Sequence, residues 1–454
     1  MKIALIEPYV SIDSLKSYAE KTEPSHLLGM FNLLQDAGCD VVLLDAYSSM
    51  LSVEDLIEWL EAGSFSHAGF TVYDYSPCLS YLKKVFKCLP KNINTIIGGP
   101  GPTYCMERMI NILNPDWLVK GAGEKAMLDL FHTGFSRDEL AGSLTMLDGT
   151  AVISSDSMPL AAIPFKRPYS LDSYSFQASP RIQTGCVGKC IFCSGAYQKK
   201  FEYITEEKTY DQLDYLVNGK HAQVIAPNGP DLTAVPTKAN DFINVLINGN
   251  FDFTEFRPGV RLDTLSRAVE LKPEIWNKLS SRYSIKMESS IESFSIRRLN
   301  RLGKNIPIDF LEGIYSSLKK IFSNCDCTIV LGRIAIDPTI TIDEFISDCT
   351  GFRRLLNEFS RRITVGGMLM NQFVPLHGTP ATENEKPDNP WVNNEITDPA
   401  MIRLQQELLS NDKFKLWCKL AEDTTDFGER NFVFDEILRV AKERAIEVKL
   451  ACAT

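Results

Sequence analysis

The stretch TGCVGKCIFCSGAY places Cys186, Cys190 and Cys193 within eight positions, at spacings of four and three. Thiols at that density can bind zinc, form a disulfide, or hold an iron–sulfur cluster. Structural zinc takes four ligands, usually in two paired motifs, and no second C-x2-C follows. A disulfide belongs to an oxidising compartment and would leave one thiol over. Three thiolates on a [4Fe–4S] cube leave one iron without a protein ligand, open to a substrate or cofactor. The spacing favours this third reading. The other nine of the twelve cysteines show no comparable cluster, and the C-x-C at Cys325 and Cys327 reads as packing on the approach to a strand.

Two glycine-rich turns are the next candidates: Gly98-Gly99-Pro100-Gly101 and Gly121-Ala122-Gly123-Glu124. Glycine there lets backbone approach a ligand or adopt positive φ, although tight strand-to-helix turns need the same residues. Arg261 and Arg333 end or interrupt apolar strands, where a charge must be paired or face a cavity. Either can hold a carboxylate or form a structural ion pair.

These residues need elements to place them. Residues 1–132 alternate apolar runs (KIALIEP, DVVLLDA, HAGFTVY, NTIIGGP, DWLVKGA) with helical patterns, one of them stopped by Gly38. Near-continuous apolar strands with helical crossovers imply a parallel sheet covered on both faces, a doubly wound, flavodoxin-like α/β domain that takes ligands beyond the strands' carboxyl ends. Residues 133–178 lose the helical period and read as a linker: a hairpin at Asp148-Gly149, then a proline-punctuated connector. From 179 to 382 strand and helix alternate again. With RIQTG as the first strand, six βα units form a partial TIM-type barrel whose functional residues sit at the carboxyl ends of the strands. Residues 383–454 begin polar and proline-rich and continue as helices suited to covering the barrel opening. Of the five histidines (26, 67, 132, 221 and 377), only His377, in PLHGTP at the expected barrel mouth, is a candidate acid or base.

The order of elements in the first domain, with EPSHLLGMFNLLQDAGCDVVLLDA early and IIGGPGPTYCMERMINILNPDWLVKGAGEKA later, resembles the cobalamin-binding domain of B12-binding radical SAM enzymes. The cysteine stretch is similar to that family's C-x3-C-x-aromatic-C form, with Phe192 as the aromatic. The resemblance implies a [4Fe–4S] cluster on Cys186, Cys190 and Cys193 whose open iron binds S-adenosylmethionine (SAM) and cleaves it to a 5′-deoxyadenosyl radical. It implies a corrin site lined by Gly98, Gly99, Gly101, Gly121 and Gly123. SSIESFSIRRLNRLGKN resembles a segment after the fourth barrel strand, which assigns Glu292 and Ser293 to SAM contacts; a cap on the following helix is the simpler alternative for Glu292. APNGPDL lies where the SAM amino group meets backbone, with Asn228 and Asp231 polar at that strand end, and Arg261 is a candidate for a carboxylate. AIDPTITIDEF and QFVPLHGTP resemble two further family segments. The chain departs from the pattern where Gly101 replaces the histidine of GGPH and where no D-x-H-x-x-G motif supplies an axial histidine.

The net charge of −10 over 454 residues and the lack of a basic, aromatic-interleaved stretch argue against a nucleic-acid partner. No run of 18 apolar residues and no signal peptide is visible, so a cytoplasmic protein without membrane contact is expected. The expected activity is radical modification of a small metabolite or natural-product intermediate, by cobalamin-dependent C-methylation, with a reductant such as flavodoxin or ferredoxin. A cobalamin-free dehydratase or epimerase that uses the first domain as scaffold is the rival enzyme reading. A non-catalytic iron–sulfur redox sensor is the rival from another class.

Overall fold

The computed structural model describes residues 1–8, 23–74, 76–193, 201–332, 334, 336–365, 379, 381–382, 395–424 and 427–453. Arg333, His377, nearly all of QFVPLHGTP, most of the expected last barrel strand and the loop at 383–394 lie outside these residues. The chain forms two compact units, the first built on Met1–Thr184 and Glu202–Ala222, the second on Gly185–Phe201, Gln223–Pro375 and Thr379–Thr454.

In the first unit β1 (Lys2–Glu7), α1 (Ser25–Asp36), β2 (Asp40–Asp45), α2 (Val53–Gly63), β3 (His67–Thr71), α3 (Ser76–Cys88) and β4 (Asn94–Gly98) alternate as the apolar runs predict. The short α4 (Pro100–Tyr104), α5 (Met106–Leu113), β5 (Trp117–Gly121) and α6 (Gly123–His132) follow. The strand order β2-β1-β3-β4-β5 is that of a flavodoxin-like sheet. Alternation along β1 explains the two layers. Ala4 and Ile6 pack with Leu56 and Leu60 of α2, Leu82 of α3 and Ile110 of α5, whereas Ile3 and Leu5 pack with Phe31 and Leu34 of α1 and Met127 and Leu130 of α6. Ser52 and Asp55 form a reciprocal cap that fixes the start of α2.

The sheet does not stop at residue 132. The hairpin of β6 (Leu144–Leu147) and β7 (Thr150–Ser155), read from sequence as the start of the linker, joins it through parallel pairing of β7 with β5. Asp148 and Gly149 have φ of 48° and 84°, the two positive values that a tight hairpin turn needs, and Ala151 and Ile153 are buried in the α1/α6 layer. The connector after it is pinned by Glu23, whose buried carboxylate accepts from Arg167 Nε and Nη2 at 2.7 and 2.5 Å and from Ser179 N at 2.6 Å. After β8 (Gln177–Ala178), the expected first barrel strand RIQTG supplies only β9 (Gln183–Thr184). It pairs antiparallel with β10 (Glu202–Tyr203), a correction to its reading as a parallel barrel strand. Pro180 precedes the run and Gly185, at φ of 72°, turns the chain away, so the run pairs only through a bridge at Arg181 and the two residues of β9. Helix α7 (Glu206–Asp214) completes this unit.

The second unit contributes five strands in sequential order to a parallel sheet. These are β11 (Val224–Ile225), β12 (Glu255–Phe256), β13 (Ser284–Ser290), β14 (Cys327–Gly332) and β15 (Ile363–Val365). The crossovers are α8 (Pro236–Asn248), α9 (Leu262–Leu271) with α10 (Pro273–Arg282), then α11 (Ile296–Arg301), α12 (Ile308–Glu312) and α13 (Ile314–Asn324), then α14 (Ile342–Glu358). Sequential parallel strands with helical crossovers are barrel architecture. The C-terminal region is helical, as expected, at Pro399–Ser410, Asp412–Asp423 and Phe427–Ala453. The last helix packs on α14, with Arg353 bidentate to Asp435, and Asn431 Nδ2 donates to the Ile363 carbonyl of β15 at 2.7 Å.

Candidate functional site

The cysteine loop is held at its centre. Ile191 N donates to the Leu302 carbonyl and Ile191 O accepts from Ala381 N, both at 3.0 Å. Gly303, at φ of 64°, allows this approach, since a Cβ there would lie 2.4 Å from the Lys189 carbonyl oxygen. Phe192 packs with Ile191 on Leu302, Ile334 and Ala381, so the aromatic before the last cysteine anchors the loop. Gly188 N donates to Cys186 Sγ at 3.2 Å, and Cys193 N to the Cys190 carbonyl at 3.2 Å. A Cβ at Gly188 would sit 3.2 Å from Cys186 Sγ, 3.9 Å from Cys190 Sγ and 3.7 Å from Arg261 Nη1. The glycine keeps open the space between the two sulfurs. Burial pushes the Cys186 and Cys190 thiols up; Gly188 N–H and Arg261 oppose this at Cys186, Lys304 and Arg261 at Cys190. Among the described residues no three His, Cys, Asp or Glu side chains converge as a chelate for a single metal ion. A cube asks for something different, because each thiolate bonds its own iron.

Cations and carboxylates from the strand ends surround this loop. Asp231, fully buried after β11, accepts from Thr233 N and Oγ1, from Thr264 Oγ1 and from Arg261 N, all within 3.3 Å. It ties the exit of β11 to that of β12, and burial raises its carboxyl against those bonds. Arg261 binds Asp263 through Nε and Nη2 at 3.1 and 3.2 Å and the Lys304 carbonyl through Nη1 at 3.1 Å. Asn228 is exposed at the exit of β11. Glu292, beyond β13, is buried at a φ of 68°, a left-handed conformation that costs a non-glycine residue about 1–3 kcal/mol. Its Oε1 accepts from Lys304 Nζ at 3.3 Å and its Oε2 from Ile334 N at 2.9 Å. Lys304 Nζ also donates to Ser290 Oγ at 2.5 Å. Lys304 and Asp263 belong to the site but were missed in sequence. The lysine stood in the quoted SSIESFSIRRLNRLGKN segment, and nothing marked its charge as acting on Cys190.

Ser293 is placed elsewhere. Its hydroxyl donates to Asp348 Oδ1 at 2.7 Å and accepts from Ser295 N at 2.9 Å, so it is absorbed beneath α11. Asp348 also takes Arg298 Nη1 at 2.5 Å, while Arg298 Nε reaches Asp337 Oδ2 at 2.7 Å and Nη2 the Ile334 carbonyl at 2.7 Å. Asp337 accepts in turn from Thr339 N and Oγ1. The two motif-like stretches SSIESFSIRR and DPTIT are thus one buried polar network that supports the loop from behind.

In the first unit the glycine turns meet through Thr103, whose Oγ1 donates to the Gly99 carbonyl at 2.7 Å and accepts from Gly121 N at 3.1 Å. Internal geometry accounts for most of these glycines. Gly99 and Gly121 have φ of 100° and 95°, and Cβ atoms at Gly101 and Gly123 would meet the Val72 carbonyl at 3.0 Å and Met30 Cε at 2.4 Å. Gly98 alone has ordinary room, 3.8 Å from Val119 Cβ. Glu124 is paired with Arg181 at 2.6 Å. The same carboxyl edge carries a group that sequence reading passed over: His26 Nε2 lies 2.9 Å from Glu7 Oε2 and 3.2 Å from Thr71 Oγ1.

No protein-family model and no curated protein sequence matches the chain. Solved structures do. The cobalamin-dependent SAM radical enzyme OxsB, with aqua-cobalamin bound, superposes with a TM-score of 0.72 at 13% identity, over 99% of this chain and 72% of that one. OxsB with both aqua-cobalamin and SAM gives 0.72 at 14% identity, over 98% and 72%. The radical SAM methyltransferase TsrM from Kitasatospora setae, with tryptophan substrate and a SAM analogue, gives 0.59 at 12% identity, over 78% and 71%. At such identities the likeness establishes architecture: the chain has the fold of OxsB and TsrM, a doubly wound α/β domain followed by a partial (β/α) barrel and C-terminal helices.

Proposed function

We propose that the chain is a radical SAM enzyme. The carrying observation is the three-thiol cysteine loop, in which Gly188 keeps open the space between the Cys186 and Cys190 sulfurs with Arg261 beside it, and the charges of Lys304 and Arg261 act on Cys190. Cys186, Cys190 and Cys193 would hold a [4Fe–4S] cluster, which supplies an open iron for SAM and the electron that cleaves it to a 5′-deoxyadenosyl radical. The protein's own part is positioning. Arg261 and Lys304 offset the negative charge of the thiolates and lie where a carboxylate can be held. Glu292, held at positive φ by Lys304 and the Ile334 amide, offers its carboxylate to a donor such as a ribose hydroxyl. Asn228 is exposed at the exit of β11.

The first unit is read as a cobalamin site on the flavodoxin-like order of its sheet and the glycine turns joined by Thr103. Bound cobalamin would supply a methyl group, which makes C-methylation of a small metabolite or natural-product intermediate the favoured reaction. A flavodoxin or ferredoxin would be the electron source, in a cytoplasmic setting; among the described residues no helix is long and apolar enough to cross a membrane.

The test is anaerobic cluster reconstitution, incubation with hydroxocobalamin, desalting, and an absorbance spectrum with iron and sulfide assays, followed by SAM and dithionite. About four irons per chain and 5′-deoxyadenosine formation are expected. A full cluster without 5′-deoxyadenosine would overturn the enzyme reading in favour of a redox sensor. A spectrum without corrin bands would overturn the cobalamin reading and leave the dehydratase or epimerase.

A further inference from the structure

We infer that His26 supplies an axial nitrogen ligand to the cobalt of a corrin bound at the carboxyl edge of the first sheet. The inference rests on the cobalamin reading above and assigns it a residue that no motif marks. In the order β2-β1-β3-β4-β5 the chain reverses direction across the sheet between β1 and β3. Ligands of doubly wound sheets bind at that switch point, outside the carboxyl ends of the strands. Glu7 is the last residue of β1, Thr71 the last of β3, and His26 the second residue of α1. The imidazole therefore stands at the switch point itself.

Its bonding has the pattern of a histidine whose one nitrogen is fixed by a carboxylate. Nε2 is engaged by the Glu7 carboxylate at 2.9 Å and lies 3.2 Å from the Thr71 hydroxyl, whereas Nδ1 has no partner among the described residues. The His26 side chain is 43% exposed and that of Glu7 15%, so among the described residues the ring is tethered at one nitrogen and open at the other. A histidine that gives one N–H to a carboxylate and keeps its second nitrogen for a metal is the common arrangement at metal centres, because the carboxylate fixes the tautomer and raises the basicity of the ligating nitrogen. His67 shows what a structural histidine in this unit looks like: it is 7% exposed, stacks on Phe135 at 3.8 Å and sits at the amino end of β3. Imidazole is also a suitable donor for a transition metal of cobalt's kind.

The experiment uses the full chain labelled with [15N]histidine, reconstituted, loaded with hydroxocobalamin, desalted and mildly reduced to Co(II). The oxidised [4Fe–4S] cluster is silent in electron paramagnetic resonance, so the cobalt spectrum is read alone. Axial 14N splits each high-field cobalt line into three and 15N into two. Doublets in labelled protein, triplets in unlabelled protein, and loss of both in a His26→Ala variant that still retains corrin are the expected result. Glu7→Gln should lower the ratio of nitrogen-ligated to unligated cobalt by about 10- to 100-fold, the usual consequence of removing such a partner. Triplets that ignore the label would assign the nitrogen to cobalamin's own benzimidazole and overturn the inference, as would the absence of splitting with corrin retained. Failure to retain corrin at all would overturn the cobalamin reading, a separate outcome visible in the absorbance spectrum before any resonance measurement.

Discussion

The cysteine loop and the carboxyl edge of the first sheet are both places where short motifs end strands, and they behave differently once folded. Around the loop, residues far apart in the chain converge on the motif: Arg261, Glu292 and Lys304 all bear on Cys190. At the sheet edge the motif glycines mostly serve their own turns, and the chemically capable groups there, Glu7, His26 and Thr71, belong to no motif. A cluster site needs its ligands on one short loop, so its pattern is local. A sheet-edge site is assembled from the ends of separate strands, so its pattern is not.

The largest expected effect comes from the loop. Cys190→Ala should reduce iron from about four per chain to below one after reconstitution and bring 5′-deoxyadenosine to background. Cys325→Ala, at a buried thiol outside the loop, should keep the iron. Normal turnover by the Cys190 variant would erase the contrast between the two regions. Next is Arg298→Met, which leaves Asp337 and Asp348 as uncompensated charges in the interior and should cost about 3–5 kcal/mol in urea unfolding. Lys125→Met in the first unit breaks only an exposed i,i+4 pair with Asp129 and should cost about 1 kcal/mol or less. Equal costs would mean that the network behind the loop is no firmer than an ordinary surface pair.

Gly121→Ala should cost about 1–3 kcal/mol, because its φ is 95° and its Cβ would lie 2.4 Å from the Ser155 carbonyl oxygen. Gly98→Ala, with 3.8 Å to its nearest neighbour, should cost less than about 1 kcal/mol. If Gly98→Ala releases corrin at unchanged stability, that glycine serves a ligand; if retention simply follows stability across both variants, the glycines serve the turns. The narrowest effect, confined to acid pH, concerns His67, whose imidazole is held down to about 4, chiefly by burial. Its folded pKa is below the unfolded value, so the unfolded chain binds the extra proton between the two. The associated stability is complete above about pH 6.5 and is lost as the pH falls toward 4, on the order of 3 kcal/mol. His67→Phe, which keeps the stack on Phe135, should flatten unfolding free energy against pH across that window.

Periodicity made much of the architecture legible. The apolar runs of the first domain became β1 to β5, and Gly38, at φ of 85°, lies just past the end of α1 as expected. It misplaced elements whose status depends on partners. The hairpin at 144–155 looked like linker because its strands are short and one face is exposed, yet β5 offered an edge to pair with. RIQTG looked like a barrel strand because composition does not reveal which neighbour a strand will meet.

The same division holds for the site. Composition and spacing alone gave the α/β class and a three-thiol loop, since these depend on residues that act through their immediate neighbours in the chain. The tertiary structure decided that Ser293 belongs to Asp348 and that the Lys304 charge acts on Cys190. It decided also that Glu292 is bent into a left-handed conformation and that His26 meets Glu7 and Thr71. Each of those outcomes depends on residues from 12 positions apart, as Glu292 and Lys304 are, to 114 apart, as Cys190 and Lys304 are. Such contacts leave no spacing in the sequence, because the folded backbone alone sets their distance.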